Sequence, residues 1–293
     1  MLKLGFAGLG SMGLSMALCL RRAGFEVMGW NRTREKEAPL TAAGGTSAPS
    51  LAAMGADCDA VVLCLPHDGV VREVLLGPDG ILSGKNRRAR YVVDCSTIDV
   101  TAAKTLGAEL ADMGVYYFDS PVSGGPQGAR DGTLTIMVGG DEGVLNGTLM
   151  PVYQAMGKNI LYFGPNGSAQ QIKLINQILT WVNHAVLCEA GVLAKKAGLD
   201  EKKLYDCIMT SYGYSRVFEV CYPTHIMTEN YDNPTGMAMM VKDLDLAQRF
   251  AASCGARLPM TDAAMILYRK AIESGHGERD QSIIMEQLKE SLI

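Results

Sequence analysis

The sequence predicts an α/β protein: a doubly wound, mainly parallel sheet over residues 1–164, followed by an all-α domain over residues 165–293. Three observations predict it. Short apolar runs alternate with helical patterns through the first half of the chain. A glycine-rich loop stands between the first apolar run and the first helical pattern. After about Gly164, strand signals become sparse and helical periodicity takes over. Alternating strands and helices imply a parallel sheet, because each parallel pair needs a crossover connection, usually a helix.

Taken in order, Leu2 to Ala7 is the first strand, and Ser11 to Ala23 is a helix with Ser11 as N-cap and Gly24 as its stop. Glu26 to Trp30 is the second strand. Ala60 to Leu65 is a continuous apolar run closed by Pro66, the pattern of a strand buried on both faces. Tyr91 to Asp94, Tyr116 to Asp119 and Leu134 to Val138 are further strands, the last stopped by Gly139-Gly140. Asn166-Gly167 is a turn signal, and Ser168 is placed to cap the long helix that follows. Later helices are expected over Asp200 to Thr210, Ser215 to His225, Met239 to Ser253, Thr261 to Ser274 and Asp280 to Leu292.

Composition narrows the function classes. Hydrophobic residues make up 48% and charged residues 20% of 293 residues, enough for a substantial core without staples. The net charge is −4 and the one basic cluster is Arg87-Arg88-Ala89-Arg90, so a nucleic-acid partner is not expected. Eight cysteines are scattered through apolar segments with no C-x-x-C, which fits small buried hydrophobes in a reducing cytoplasm. No Cys/His pair has ligand spacing, so no metal site is expected. Glycines interrupt the apolar N-terminus, arguing against a signal peptide. Lys173, Asn176, Gln177, Asn183, His184 and Glu189 interrupt the apolar stretch from Ile172 to Ala197, arguing against a membrane span.

The loop Gly8-Leu9-Gly10-Ser11-Met12-Gly13 follows the first strand and opens the first helix, as a Rossmann-like dinucleotide site requires. Gly8 allows the tight turn, Gly10 lets the backbone approach a pyrophosphate, and Gly13 lets helix and strand pack closely. The helix N-terminus then offers N–H groups and a positive dipole end to the phosphates. The end of the second strand refines the cofactor. NAD sites usually carry a carboxylate there for the ribose 2′-hydroxyl. This chain reads Trp30-Asn31-Arg32-Thr33 instead. A guanidinium suits a 2′-phosphate, with Asn31 and Thr33 as further donors, so NADP is the expected preference and NAD remains possible. The alternative is that Arg32 stacks on adenine with either cofactor.

Four motifs, in order along the chain, resemble the β-hydroxyacid dehydrogenase family. They are Phe6 to Gly13, Asp119-Ser120-Pro121-Val122-Ser123-Gly124-Gly125, Gly167 to Gln177, and Lys242-Asp243-Leu244. The resemblance spans nearly the whole chain and implies a small anionic aldehyde or hydroxyacid substrate. Ser123, Gly124 and Gly125 are then the substrate-binding segment, where exposed N–H groups and a hydroxyl hold an anion. Lys173, in the apolar run Ile172 to Ile175, falls at the family's catalytic lysine. A partly buried lysine loses preference for its charged form, which suits a general acid and base. Asn176 and Gln177 share its helix face at i+3 and i+4 and are expected to touch substrate. Gln177 departs from the family's usual Asn, which leaves the substrate's placement open. By the same resemblance Leu65, Pro66, Thr97 and Lys242 are cofactor contacts, with Lys242 also closing over nicotinamide or substrate. The resemblance also implies a homodimer or homotetramer.

The histidines His67, His225 and His276 have no partner at informative spacing and receive no catalytic role. Thr180 and His184 extend the face of Lys173 and are read as polar groups satisfied within the fold. Arg216, within Ser211-Tyr212-Gly213-Tyr214-Ser215-Arg216, is a candidate for pairing an anionic substrate group. Two rival readings stand beside the dehydrogenase. One is an imine reductase of the same architecture, against which Lys173 speaks. The other is a non-catalytic dinucleotide-binding scaffold, against which the lysine and the intact glycine loop both speak.

Overall fold

The structure is a computed structural model that describes residues 1–232 and 236–291. By its internal contacts the chain divides into two compact units, Met1–Lys173 and Leu174–Ile293.

The first unit is a doubly wound sheet. β1 (Lys3–Ala7), α1 (Ser11–Arg22), β2 (Glu26–Trp30), α2 (Ala38–Ala42), β3 (Thr46–Ser47), α3 (Leu51–Asp57), β4 (Ala60–Leu63), α4 (Asp68–Leu76), β5 (Tyr91–Asp94), α5 (Val100–Asp112) and β6 (Tyr116–Asp119) alternate along the chain. β7 (Val122–Ser123), α6 (Gly125–Asp131), β8 (Leu134–Gly139), α7 (Glu142–Val144), α8 (Met150–Met156) and β9 (Gly157–Gly164) complete it. The spatial order is β3-β2-β1-β4-β5-β6-β8-β7, with β9 beside β8. The strands from β3 to β6 are parallel. β8 runs antiparallel to β6 and β7, and β9 parallel to β8. The chain therefore switches direction of travel between β1 and β4, the point at which open α/β sheets bind ligands.

Alternate side chains of each central strand feed opposite faces, as the two-residue strand period demands. Leu4, Phe6, Val62, Val93 and Phe118 pack on one side with Met16 and Leu20 of α1 and Val152 and Tyr153 of α8. Val61, Leu63, Val92 and Tyr117 pack on the other with Met54 of α3, Val71 of α4 and Leu106 of α5.

Helix α9 (Ser168–Lys196) begins in the first unit and continues into the second. There it is followed by α10 (Glu201–Ile208), α11 (Arg216–Cys221), α12 (Met237–Ser253), α13 (Pro259–Ala271) and α14 (Ile284–Ser291). Asp200 and Ser215 cap α10 and α11 with their side chains. Pro223 lacks an N–H, and the expected helix from Ser215 to His225 passes after Cys221 into a wider turn over Tyr222–Ile226. Leu292, the expected end of the last helix, lies outside the described residues.

Two expected caps differ. Gly10, not Ser11, occupies the N-cap position of α1 and offers no side-chain acceptor. Ser168 is the first helical residue of α9, and the capping acceptor comes from β6 instead. Asp119 accepts the N–H of Gly167 on one carboxylate oxygen (2.8 Å) and that of Gln170 on the other (3.1 Å). A buried carboxylate against a helix N-terminus satisfies orphan donors and complements the dipole.

Candidate active site

The glycine loop is shaped by contacts that admit no side chain. Gly8 has φ +98°, and a Cβ there would lie 2.2 Å from the Cys64 carbonyl oxygen. A Cβ on Gly13 would lie 1.9 Å from the Gly8 oxygen. Gly10 is the reverse case, since a Cβ there would meet nothing within 4 Å. The space in front of the helix start is thus open, and α1 has no side-chain cap of its own. Those two features fit a dinucleotide pyrophosphate. Leu9 and Gly10, together with Ser11, Leu14, Glu35, Lys36 and Pro39, line a groove beside this loop. Lys36 is a cation that motif reading passed over.

Asn31 ties the loop to the end of β2. Its side-chain oxygen accepts the Leu9 N–H (2.9 Å), and its amide donates to the Thr33 carbonyl (2.8 Å). Arg32 and Thr33 are exposed beyond it. On the other side of β1, the Leu65 N–H donates to the Ser96 hydroxyl (2.9 Å), joining the loop after β4 to the loop after β5. Pro66 is exposed and Thr97 half-buried in these two loops.

Buried acids hold the loop after β5 and the start of α9. Asp94 accepts the Ser96 N–H (2.9 Å) and the Tyr117 hydroxyl (2.9 Å). Burial raises its pKa to about 6 against these hydrogen bonds. Gln170, fully buried in the first turn of α9, donates to the Ser96 carbonyl (2.9 Å) and accepts the Ile98 N–H (3.2 Å). The residues flanking Thr97 are therefore fastened to the helix that carries Lys173. Motif reading missed Gln170 and the capping role of Asp119. Gln170 stands among Ser168 and Gln171 in a mostly polar first turn, so nothing local marked it out.

Lys173 is 7% exposed, and its ammonium donates to the Val122 carbonyl (2.9 Å). That carbonyl immediately precedes Ser123. Gly124 and Gly125 follow with φ +136° and +64°, conformations open to glycine and strained for other residues. A Cβ on Gly125 would meet nothing within 4 Å, so its backbone faces open space. The structure thus brings Lys173 onto the Ser123-Gly124-Gly125 segment.

In the second unit a separate polar chain joins three of the expected residues. The Asn176 amide donates to the Gln177 side-chain oxygen (3.1 Å), and the Gln177 amide donates to buried Asp243. Lys242 pairs with the same carboxylate at 3.0 Å. Gln177 thus has protein partners on both ends of its amide, and Asp243 is the common anchor.

Other candidates have structural partners. His184 is fully buried between the Tyr268 hydroxyl (3.2 Å) and the Ser282 hydroxyl (3.0 Å). Thr180 donates to the Asn176 carbonyl (2.8 Å). His67 caps α4. Arg216 forms an exposed pair with Glu219 at 2.7 Å, and Tyr214 donates to the same carboxylate, so its charge is already matched within its own segment. Among the described residues, no three His, Cys, Asp or Glu side chains converge as a metal site, and no helix is long and apolar enough to cross a membrane.

Comparison with known proteins agrees with this geometry. Residues 3–164 match the model of the NAD binding domain of 6-phosphogluconate dehydrogenase. Residues 167–288 match that of the NAD-binding domain of NADP-dependent 3-hydroxyisobutyrate dehydrogenase. The 2-hydroxy-3-oxopropionate reductase of Escherichia coli is 33% identical over 98% of this chain and 97% of its own length. The chain belongs to the β-hydroxyacid dehydrogenase family. A second member, the NAD-dependent L-serine dehydrogenase of Pseudomonas aeruginosa, is 35% identical over 98% of this chain and 97% of its own. The crystal structure of 3-hydroxyisobutyrate dehydrogenase from Salmonella typhimurium superposes with a TM-score of 0.87 at 30% identity, covering 97% of this chain and 99% of that one. This member of the family is accordingly an oxidoreductase with a nicotinamide dinucleotide cofactor.

Proposed function

We propose that this chain interconverts a small β-hydroxyacid and its semialdehyde, with NADP as preferred cofactor and Lys173 as general acid and base. The observation that carries the reading is the buried Lys173 ammonium bonded to the carbonyl that precedes Ser123. A proton donor and an anion-holding segment are thereby held on one short stretch of structure. The hydroxyl of Ser123 and the N–H groups of Gly124 and Gly125 would hold the substrate carboxylate. The relatives' names point to the same chemistry, since 3-hydroxyisobutyrate, L-serine and 2-hydroxy-3-oxopropionate each carry a carboxylate and an oxygen on the third carbon.

When bound, the nicotinamide supplies or takes the hydride. The Gly8 to Gly13 loop would hold the pyrophosphate, with Arg32 and Thr33 at the ribose 2′-position and Leu65, Pro66 and Thr97 along the remainder. In the reducing direction Lys173 gives a proton to the carbonyl oxygen as the hydride arrives. In the oxidising direction it accepts the hydroxyl proton. We also assign Asn176 and Gln177 to substrate placement and Lys242, through Asp243, to the cofactor or substrate. The exposed apolar row Ile175, Leu179, Val186 and Leu193 on α9 supports a homodimer or homotetramer.

A panel of three- and four-carbon semialdehydes with NADPH tests the substrate class, and Lys173→Ala tests the lysine. We expect kcat to fall by about 10²- to 10⁴-fold, the usual worth of a general acid, with NADPH binding changed less than about threefold. Retained turnover in that variant removes Lys173 from the chemistry. Equal kcat/KM with NADPH and NADH removes the cofactor preference.

A further inference from the structure

We propose that Glu37 is a positioning residue for cofactor selection: it locks the loop that presents Arg32, and it is itself kept from the cofactor by Arg34. The proposal rests on the reading of Arg32 as a 2′-phosphate contact. Glu37 ends a short turn of 3-10 helix, Arg34–Glu37, just after β2. It is only 3% exposed, an uncommon place for a carboxylate unless it is paired and hydrogen-bonded.

Its partners all belong to the selecting loop or its support. One oxygen accepts the backbone N–H of Asn31 (2.8 Å) and pairs with the Arg34 guanidinium (2.9 Å). The other accepts the Ser47 hydroxyl of β3. Arg34 in turn donates to the Ala48 carbonyl (2.6 Å). Asn31 passes the connection on, since its side chain holds the Leu9 N–H of the glycine loop and the Thr33 carbonyl. A continuous path of bonds therefore runs from the glycine loop through Asn31 to Glu37 and β3. Arg32 sits on this fixed frame, exposed, and makes no hydrogen bond or ion pair among the described residues.

Two consequences follow for the cofactor. First, Arg32 is presented from backbone held on both sides, so little ordering is left to be done when a 2′-phosphate binds. Second, the Glu37 carboxylate is turned inward and matched by Arg34, whereas Glu35 of the same turn is exposed. A freed Glu37 side chain would repel a 2′-phosphate and could accept a ribose 2′-hydroxyl, the feature of NAD sites. Of the loop's two arginines, one is thus consumed by Glu37 and the other is left for the ligand.

The test uses the full chain and two fragments of the cofactor, 2′,5′-ADP and 5′-AMP, which report the adenosine end without the chemistry. We expect the unaltered chain to bind 2′,5′-ADP at least about tenfold more tightly than 5′-AMP, the scale of one charge-assisted contact. Glu37→Ala and Arg34→Ala should each remove most of that preference; Glu37→Ala should change 5′-AMP binding by less than about twofold, and Arg34→Ala, which frees Glu37, should not weaken it. Glu37→Gln keeps an acceptor for Asn31 and Ser47 and should retain part of it. If Glu37→Ala does not fold, Glu37→Gln and Arg34→Ala carry the test. A lowered Tm with an unchanged preference ratio would show a purely structural glutamate and overturn the proposal. An unaltered chain that binds both fragments equally removes the 2′-phosphate reading, and this proposal with it.

Discussion

Asp94 and Asp119 stand opposite one another at the ends of β5 and β6, both fully buried, and the backbone N–H groups they accept lie in the chain just beyond the sheet's C-terminal edge. In the second unit His184 is equally buried, but its bonds go to Tyr268 of α13 and to Ser282 ahead of α14. The first arrangement fixes the loop after β5 and the start of α9. The second fastens helices to one another. The two also titrate in opposite senses. Burial raises Asp94 to about 6, and burial lowers His184 to about 4. A buried polar group is therefore no guide to function until its partners are named.

The largest expected effect follows from removing the acid that caps α9. Asp119→Ala leaves the N–H groups of Gly167 and Gln170 without their acceptor. Losing two bonds to a charged group in a buried site should cost about 3 kcal/mol of stability. Lys173 lies one turn beyond Gln170, so under its proposed role as general acid and base turnover should fall as well, by about tenfold or more per folded molecule, since small misplacements of a reacting group are expensive. Denaturant unfolding and active-site titration separate the two effects. A variant that is destabilised but turns over normally would put Asp119 in the same class as His184.

These networks show what sequence reading could and could not reach. The glycine loop and the strands β1, β2, β4, β5, β6 and β8 were legible because their signals are local: periodicity, apolar runs and glycine spacing. β3 and β7 have two residues each, too few for a period. β9 was missed because most of its residues are exposed, so Lys158 and Asn159 break the apolar pattern that marks a buried strand. Lys173 and Ser123 could be named from motifs, yet their meeting through the Val122 carbonyl joins residues 51 apart in the chain. Glu37 looked like an ordinary polar residue in sequence, and the motifs that contain Asp119 and Gln170 did not reveal the bonds these two make, since burial and partners come from tertiary structure alone.

The second prediction concerns the helical unit. The unfolded chain protonates histidine near pH 6.5, whereas folded His184 resists protonation until about 4. Its contribution is therefore complete above pH 6.5 and is lost as pH falls from 6.5 towards 4, by at most about 3 kcal/mol at 1.36 kcal/mol per unit. His184→Gln can keep bonds to Tyr268 and Ser282 without titrating. Relative to the unaltered chain it should lose little at pH 7.5 and show a flatter stability curve between pH 6.5 and 4, with turnover per folded molecule unchanged. An identical acid limb in both proteins would assign that loss to other groups.

Asp94 gives the smallest effect and the opposite sign. Its carboxyl is held neutral up to about pH 6 in the fold, against 3.8 as the ordinary value. The neutral form's stabilising contribution is present below pH 3.8 and is lost as pH rises to about 6, so at pH 7.5 the fold carries an unfavourable buried charge. Asp94→Asn resembles the protonated acid. Its side-chain oxygen can accept the Ser96 N–H, and the Tyr117 hydroxyl can reorient to accept from the amide. The variant should be more stable than the unaltered chain at pH 7.5 by about 1–2 kcal/mol, with the advantage shrinking as pH falls from 6 to 4. Urea unfolding at pH 4.5 and 7.5 reads both points. A loss of stability at the higher pH would mean that the Ser96 and Tyr117 bonds to the ionised carboxylate outweigh the penalty of burying it, and that Asp94, like Asp119, is retained as a charged anchor.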